Sequence, residues 1–435
     1  MIKILFLFLF LFLLSGCSFN KNSKFWTNTE IVKNKKEKIN YQEIFPEEEA
    51  LKKEFNSSLR IRLKSKTTNI TNINNYFNNN SRLNFDGELR KTSRYKFSKI
   101  KNFHQQQPEI AFHNNDVIFF DNKGSILKFN DQSKLIWKKN HYSKSEKKLK
   151  PKLNFELVGE NLLVTDSIAK YYSVNINTGE LNWLKNNVYP FNSDIKKDKQ
   201  IFFAVDYKNT LRCYNVSDGS ECWALQTENS FMISNSKYSL IIIGNNVIFS
   251  NSIGDITAVD IDSGLINWQL PTQSSSILQE SYNFKISKLV SDGKAIFFSN
   301  NKQEFYSVDV KTGTTNWINK ISSNLTPIIS DNLLFTVSDE GYLYVIEKNT
   351  GNIIRITDLY INYKIKKRKK IKPIGFAIGG TKLYLTNTDG KMIIVDLSHG
   401  SVVGIKKVAG NFTSKPFIFN QNLFVIRNGS IIQYN

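Results

Sequence analysis

The residues that commonly do chemistry are few in this chain and widely spaced. Four histidines, His104, His113, His141 and His399, lie too far apart for the short ligand spacing of a zinc site. No Gly-x-x-x-x-Gly-Lys loop is present to cradle a phosphate. Asp206, Asp255, Asp309 and Asp339 fall beside turn glycines or strand ends, where turn formation accounts for them. No carboxylates group as a metal site or an acid–base pair. The cations of KIKKRKKIK, 364–372, read as a solvated loop in preference to an anion- or membrane-binding patch. More informative are the cysteines, Cys17, Cys213 and Cys222. Their chemistry depends on the compartment and on the element that holds the last two.

The first residues address the compartment. Lys3 is followed by an unbroken apolar run over 4–14 and then by Ser15-Gly16-Cys17. About eleven apolar residues are too few to cross a bilayer but suit the core of a secretory signal. Leu14-Ser15-Gly16-Cys17 resembles a bacterial lipobox. That resemblance implies a lipoprotein signal peptide over 1–16 and a Cys17 that carries diacylglycerol and acyl chains such as palmitate. Ser18 follows in place of Asp, which by analogy with lipoprotein sorting implies the outer membrane. Several chains anchor stably, since each buried CH₂ adds about 0.8 kcal/mol. The expectation is a periplasm-facing, anchored protein that does not span the membrane.

Formal charge is 59 − 38 = +21 over 435 residues. It is unevenly spread. Residues 18–103 hold 19 Lys and Arg against 9 Asp and Glu, a net of +10 in 86 residues. Lys3 leaves with the signal, so 104–435 carry the other +10 over 332 residues. Asn/Lys bias and low hydrophobicity over 17–103 predict a basic, largely disordered tether. The periplasmic side of a membrane excludes nucleic acid as a partner.

From about residue 105 the chain repeats. Trp137, Trp183, Trp223, Trp268 and Trp317 are spaced by 46, 40, 45 and 49 residues. A glycine precedes four of them by four positions: Gly179, Gly219, Gly264 and Gly313. Two copies lack the tryptophan and have Arg355 and Gly404 in its slot, while the first has Ser133 in place of the glycine. Each copy contains short strands joined by Asp/Asn-Gly turns, as in NNVIFSN, GDITAVDI and LINWQL. Four strands every 40 to 50 residues predict an all-β fold, a β-propeller of four-stranded antiparallel blades over 104–435. Seven turn copies plus three strands at the C-terminus predict eight blades, with seven as the alternative. The missing outer strand of blade 8 is expected within 94–103. The tryptophans are expected to dock each blade on its neighbour. Cys213 and Cys222 flank the turn YNVSDGSE; a hairpin symmetric about Ser217 and Asp218 would place them face to face. In an oxidising periplasm this predicts a disulfide, unless a bulge shifts the register.

The unit YSVDVKTGTTNW resembles the repeat of quinoprotein-type (PQQ-like) propellers. The whole layout of lipobox, tether and eight blades resembles the BamB family of outer-membrane assembly lipoproteins. SDEGYLYVIEKNTGNIIRITDL and SKPFIFNQNLFVIRNGSIIQYN are similar to its closing blades. The resemblance implies a non-enzymatic scaffold without cofactor. It implies binding to the barrel-inserting subunit of the assembly (BAM) complex and to unfolded outer-membrane clients. Its partner-binding loops fall near SFMISNSK, with Phe231 and Ile233 at apolar contact positions. Ser234 stands where the family has arginine, and Lys285 replaces an acid. The rival is a quinone-dependent dehydrogenase, or a ligand-binding propeller, on the same fold. Such enzymes need a calcium held by oxygen ligands, and often a vicinal cysteine pair, which is absent here.

Overall fold

The computed structural model describes residues 53–63, 79–80, 82–103, 108–228, 237–272 and 284–435. The expected signal peptide, Cys17, Phe231 and Ile233 lie outside these residues. Eight antiparallel four-stranded sheets succeed one another in a ring, an eight-bladed β-propeller. In blade 4 the strands run outward as Leu240–Ile243, Asn246–Ser250, Ile256–Asp260 and Ile266–Leu270. Inner strands of successive blades touch and line the axis. A blade in a ring is covered on both faces, so its second strand is a near-continuous apolar run, such as Asp116–Phe120 (DVIFF) and Ala295–Ser299 (AIFFS). Outer strands are half-exposed and alternate with polar residues, as in Glu221–Gln226.

The ring closes with a strand from the N-terminal side. Thr413–Phe419, Asn422–Arg427 and Ser430–Tyr434 form the inner three strands of blade 8. Lys91–Lys96 pairs antiparallel with Ser430–Tyr434 as the outer one, with Arg94 opposite Ile432. The strand thus begins three residues before the expected 94–103. Phe112 of blade 1 stacks on Phe419 of blade 8 at 4.4 Å and seals the seam.

The boundary at residue 104 is therefore corrected: 82–103 belong to the propeller. Their strand, KTSRYK, buries only Tyr95, so an outer strand reads in composition like a solvated tether. An earlier segment packs on the ring as well. Phe55 bridges Ile356, and the Ile61 N–H donates to the Ser398 carbonyl (2.9 Å).

Candidate functional site

In seven blades the outer strand carries a β-bulge just before the tryptophan slot. In blade 4, Ala258 faces Trp268 and Val259 faces Ile266, leaving Asn267 as the extra residue. Ile136, Asn182, Cys222, Asn316, Ile354 and Val403 are its counterparts. A bulge sharpens the local twist and re-aims the next side chain, here toward the following blade. Trp268 Nε1 donates to the Val310 carbonyl of blade 5 (2.9 Å). Trp137, Trp183, Trp223 and Trp317 donate likewise to Ile176, Val216, Ile261 and Lys348. Each indole also lies on a glycine of the next blade. A Cβ on Gly313 would come within 2.6 Å of Trp268, and Gly179, Gly219, Gly264 and Gly351 receive the other four rings.

The remaining joints use other chemistry. Arg355 is fully buried; its Nη2 donates to Leu397 O (2.6 Å) and its Nη1 to Ser398 O (3.2 Å), both in blade 7. The same Nη1 reaches Leu59 O of the N-terminal segment (3.0 Å). Blade 7 offers only Gly404, and Phe85 and Leu89 fill its seam with blade 8 among Tyr384, Met392, Leu423 and Tyr434. In blade 8 the hydroxyl of Tyr95 reaches Asp131 O of blade 1 (3.1 Å), just as an indole would.

The bulge shifts the register at the expected disulfide. Cys213 faces Trp223 instead of Cys222, and both cysteines are free thiols, Cys213 buried and Cys222 exposed. Burial, and then the neighbouring Cys222 thiol, raise the Cys213 thiol well above its ordinary range.

The densest polar cluster lies on the axis, and sequence reading missed it. Glu109, Asp194, Lys288 and Lys415 stand at or just before the inner strands of blades 1, 3, 5 and 8. Lys288 Nζ bridges Glu109 (2.6 Å) and Asp194 (2.7 Å). Lys415 also holds Glu109 (2.9 Å), and Lys237, ahead of blade 4, holds Asp194. The chain Lys415–Glu109–Lys288–Asp194–Lys237 alternates in sign and spans the ring. Burial alone would raise Glu109 and Asp194, but the surrounding ammonium groups hold both below the usual carboxylate range. The signal for this cluster is a serine. Ser193, Ser287 and Ser414 each donate to the carbonyl of the next residue and accept an N–H from the second strand, which fixes Asp194, Lys288 and Lys415 toward the axis.

The chain's own N-terminal segment shares this space. Asn79 Nδ2 donates to Leu289 O (2.9 Å) and Leu240 O (3.2 Å), and its Oδ1 accepts from Lys196 Nζ (2.8 Å). Asn80 Oδ1 accepts from the Ile329 N–H (3.0 Å), and Arg82 Nη1 donates to Ser330 Oγ (2.7 Å). Arg82–Leu83 adds a parallel strand to Pro373–Gly379 of blade 7. Asn79, Asn80, Arg82 and Leu83 thus engage five consecutive blades, from 3 to 7.

Glu109 and Asp194 stay ionised and each already holds two ammonium groups, so neither can donate a proton near neutrality. Burial lowers Lys196 to about 8, but it is enclosed and tied to Asn79. Among the described residues no three His, Cys, Asp or Glu side chains are placed to hold a metal ion.

Comparison with known proteins agrees with this geometry. The chain overlaps BamB from Moraxella catarrhalis with a TM-score of 0.61 at 13% identity, covering 80% of this chain and 97% of that one. It also overlaps a quinohemoprotein alcohol dehydrogenase, ADHIIG, from Pseudomonas putida HK5 (0.60, 10%, 82% and 79%). A europium-containing methanol dehydrogenase overlaps as well (0.61, 10%, 82% and 89%). At such identities these likenesses establish the shared propeller fold. No curated protein sequence matches the chain. A family profile, however, matches residues 122–357, more than half of its length. By that match, the chain belongs to the family described as outer membrane protein assembly factor BamB.

Proposed function

We propose that the chain is a non-enzymatic, lipid-anchored scaffold of the outer-membrane β-barrel assembly machinery. It faces the periplasm, binds the barrel-inserting subunit and aids folding and insertion of outer-membrane proteins. Family membership supports the setting. The observation that supports the scaffold reading is the axis, where Asn79, Arg82 and the Lys415–Glu109–Lys288–Asp194–Lys237 chain tie their polar groups to one another and to the inner strands. The lipobox-like ending at Cys17 supports the anchor. The test is a pulldown of the full chain from cross-linked, detergent-solubilised membranes. The barrel-inserting subunit is expected in the eluate. Its absence, or stoichiometric calcium or quinone in the purified protein, would overturn the reading.

A further inference from the structure

The connection between blades 6 and 7, residues 359–372, is a strongly charged surface segment of the ring. It carries Lys364, Lys366, Lys367, Arg368, Lys369, Lys370 and Lys372 and no acid. Arg368 is paired with Asp358 (2.7 Å) and Lys367 with Asp389 (3.5 Å). Among the described residues Lys364, Lys366, Lys369 and Lys370 pair with no carboxylate, and all four are exposed. Two isoleucines stand out among these cations: Ile361 is 58% exposed and Ile365 76%.

The platform beneath is firmly held. Tyr360 is buried and its hydroxyl donates to Asn387 Oδ1 (2.6 Å). Ile371 is buried in a cluster with Leu359 and Tyr360. The Tyr363 ring lies under Lys367 and Lys391 at 5.0 and 5.9 Å. The isoleucines are therefore presented outward from a fixed base.

We propose that this segment docks the propeller on an anionic phospholipid surface, with Ile361 and Ile365 entering the headgroup region and the lysines meeting phosphates. Exposed apolar side chains amid lysines are the composition of interfacial membrane segments. Each lysine near an anionic surface strengthens binding by about fivefold. The approach of the chain's N-terminal part fits as well. Ile61 and Leu63 pack in the same cluster as Leu359 and Ile371. The contact needs no protein partner, so it stands or falls apart from the scaffold reading.

The test uses the full chain in nanodiscs of phosphatidylcholine alone or with about one third phosphatidylglycerol. Backbone hydrogen exchange over 359–372 is the readout. Exchange there is expected to slow at least fivefold in the anionic discs only, and the effect should fade in high salt. The K366E/K369E/K370E variant should lose it, and I361S/I365S should weaken it severalfold, with exchange in the blade strands unchanged as the check on folding. Equal exchange in the two discs, or protection that survives the charge reversal, would overturn the proposal. Protection by soluble polyglutamate but not by anionic discs would overturn it too and assign the patch to an acidic protein.

Discussion

Asp166 sits buried in the turn between the second and third strands of blade 2. Its Oδ1 accepts the N–H groups of Ile168 (2.9 Å) and Lys170 (2.8 Å), and its Oδ2 accepts the Tyr142 hydroxyl (2.6 Å). Asp121, Asp206, Asn251 and Asn300 hold equivalent turns with the same pair of N–H contacts. Asn in two of them indicates that the turn needs the oxygen and not the charge. In Asp166 burial outweighs these hydrogen bonds and raises the carboxyl from 3.8 to about 6. The folded state therefore favours the neutral form. Its contribution is complete below pH 3.8 and is lost as pH rises through about 6. Asp166→Asn should remove that dependence. The stability of the parent relative to the variant, from urea unfolding, is expected to fall by about 2–3 kcal/mol between pH 4 and pH 7. A constant difference would contradict the assignment. At this scale the sequence was partly legible. It assigned Asp309 to a turn, and its Oδ1 does accept the Lys311 and Thr312 N–H groups. It was silent on Glu109, whose partner Lys288 is 179 residues away; nothing local encodes that meeting.

At the scale of the element, the repeat was legible and the joint was not. Glycine and tryptophan recur four residues apart, so they read as one hairpin. In the ring each glycine serves the residue in the tryptophan slot of the preceding blade, Arg355 in the case of Gly400. Ser133 illustrates the rule: the residue arriving at its turn is Tyr95, not an indole, and a side chain is tolerated at φ +62°. The bulge was hidden because its position has no residue signature; Asn, Cys, Ile and Val all occupy it. One unseen extra residue moved Cys213 from Cys222 to Trp223. The joint model is testable as a cycle. Trp268→Ala should cost roughly 3–5 kcal/mol. Gly313→Ala should also destabilise, since its new Cβ would meet the indole at 2.6 Å. The double variant should lose less than the sum, because alanine at 268 vacates the space the methyl needs. Strict additivity in chemical denaturation would mean the two residues do not form one joint.

At the scale of the molecule, closure joins parts of the chain that are farthest apart in sequence. Thr92 bonds to Gln433 across 341 residues. The eight-fold count followed from turn copies and three leftover strands, and that arithmetic located a missing strand but placed it three residues late. Composition then misled: KTSRYK presents one buried residue and five others of tether-like polarity. The two readings part at a cut site. A chain begun at residue 104, where composition changes, lacks Lys91–Lys96, Tyr95 and the Phe85–Leu89 seam. It would expose the edge of Ser430–Tyr434, a template for association, and leave the axis without Asn79 and Arg82. A chain begun at residue 79 keeps all of these and forfeits mainly the contacts of 53–63 with Arg355, Ile356 and Ser398. The longer form is expected to melt in one transition close to the full chain and to stay monodisperse. The shorter one should melt lower and aggregate. Matching melting and sedimentation profiles for the two would mean the ring closes without its N-terminal strand.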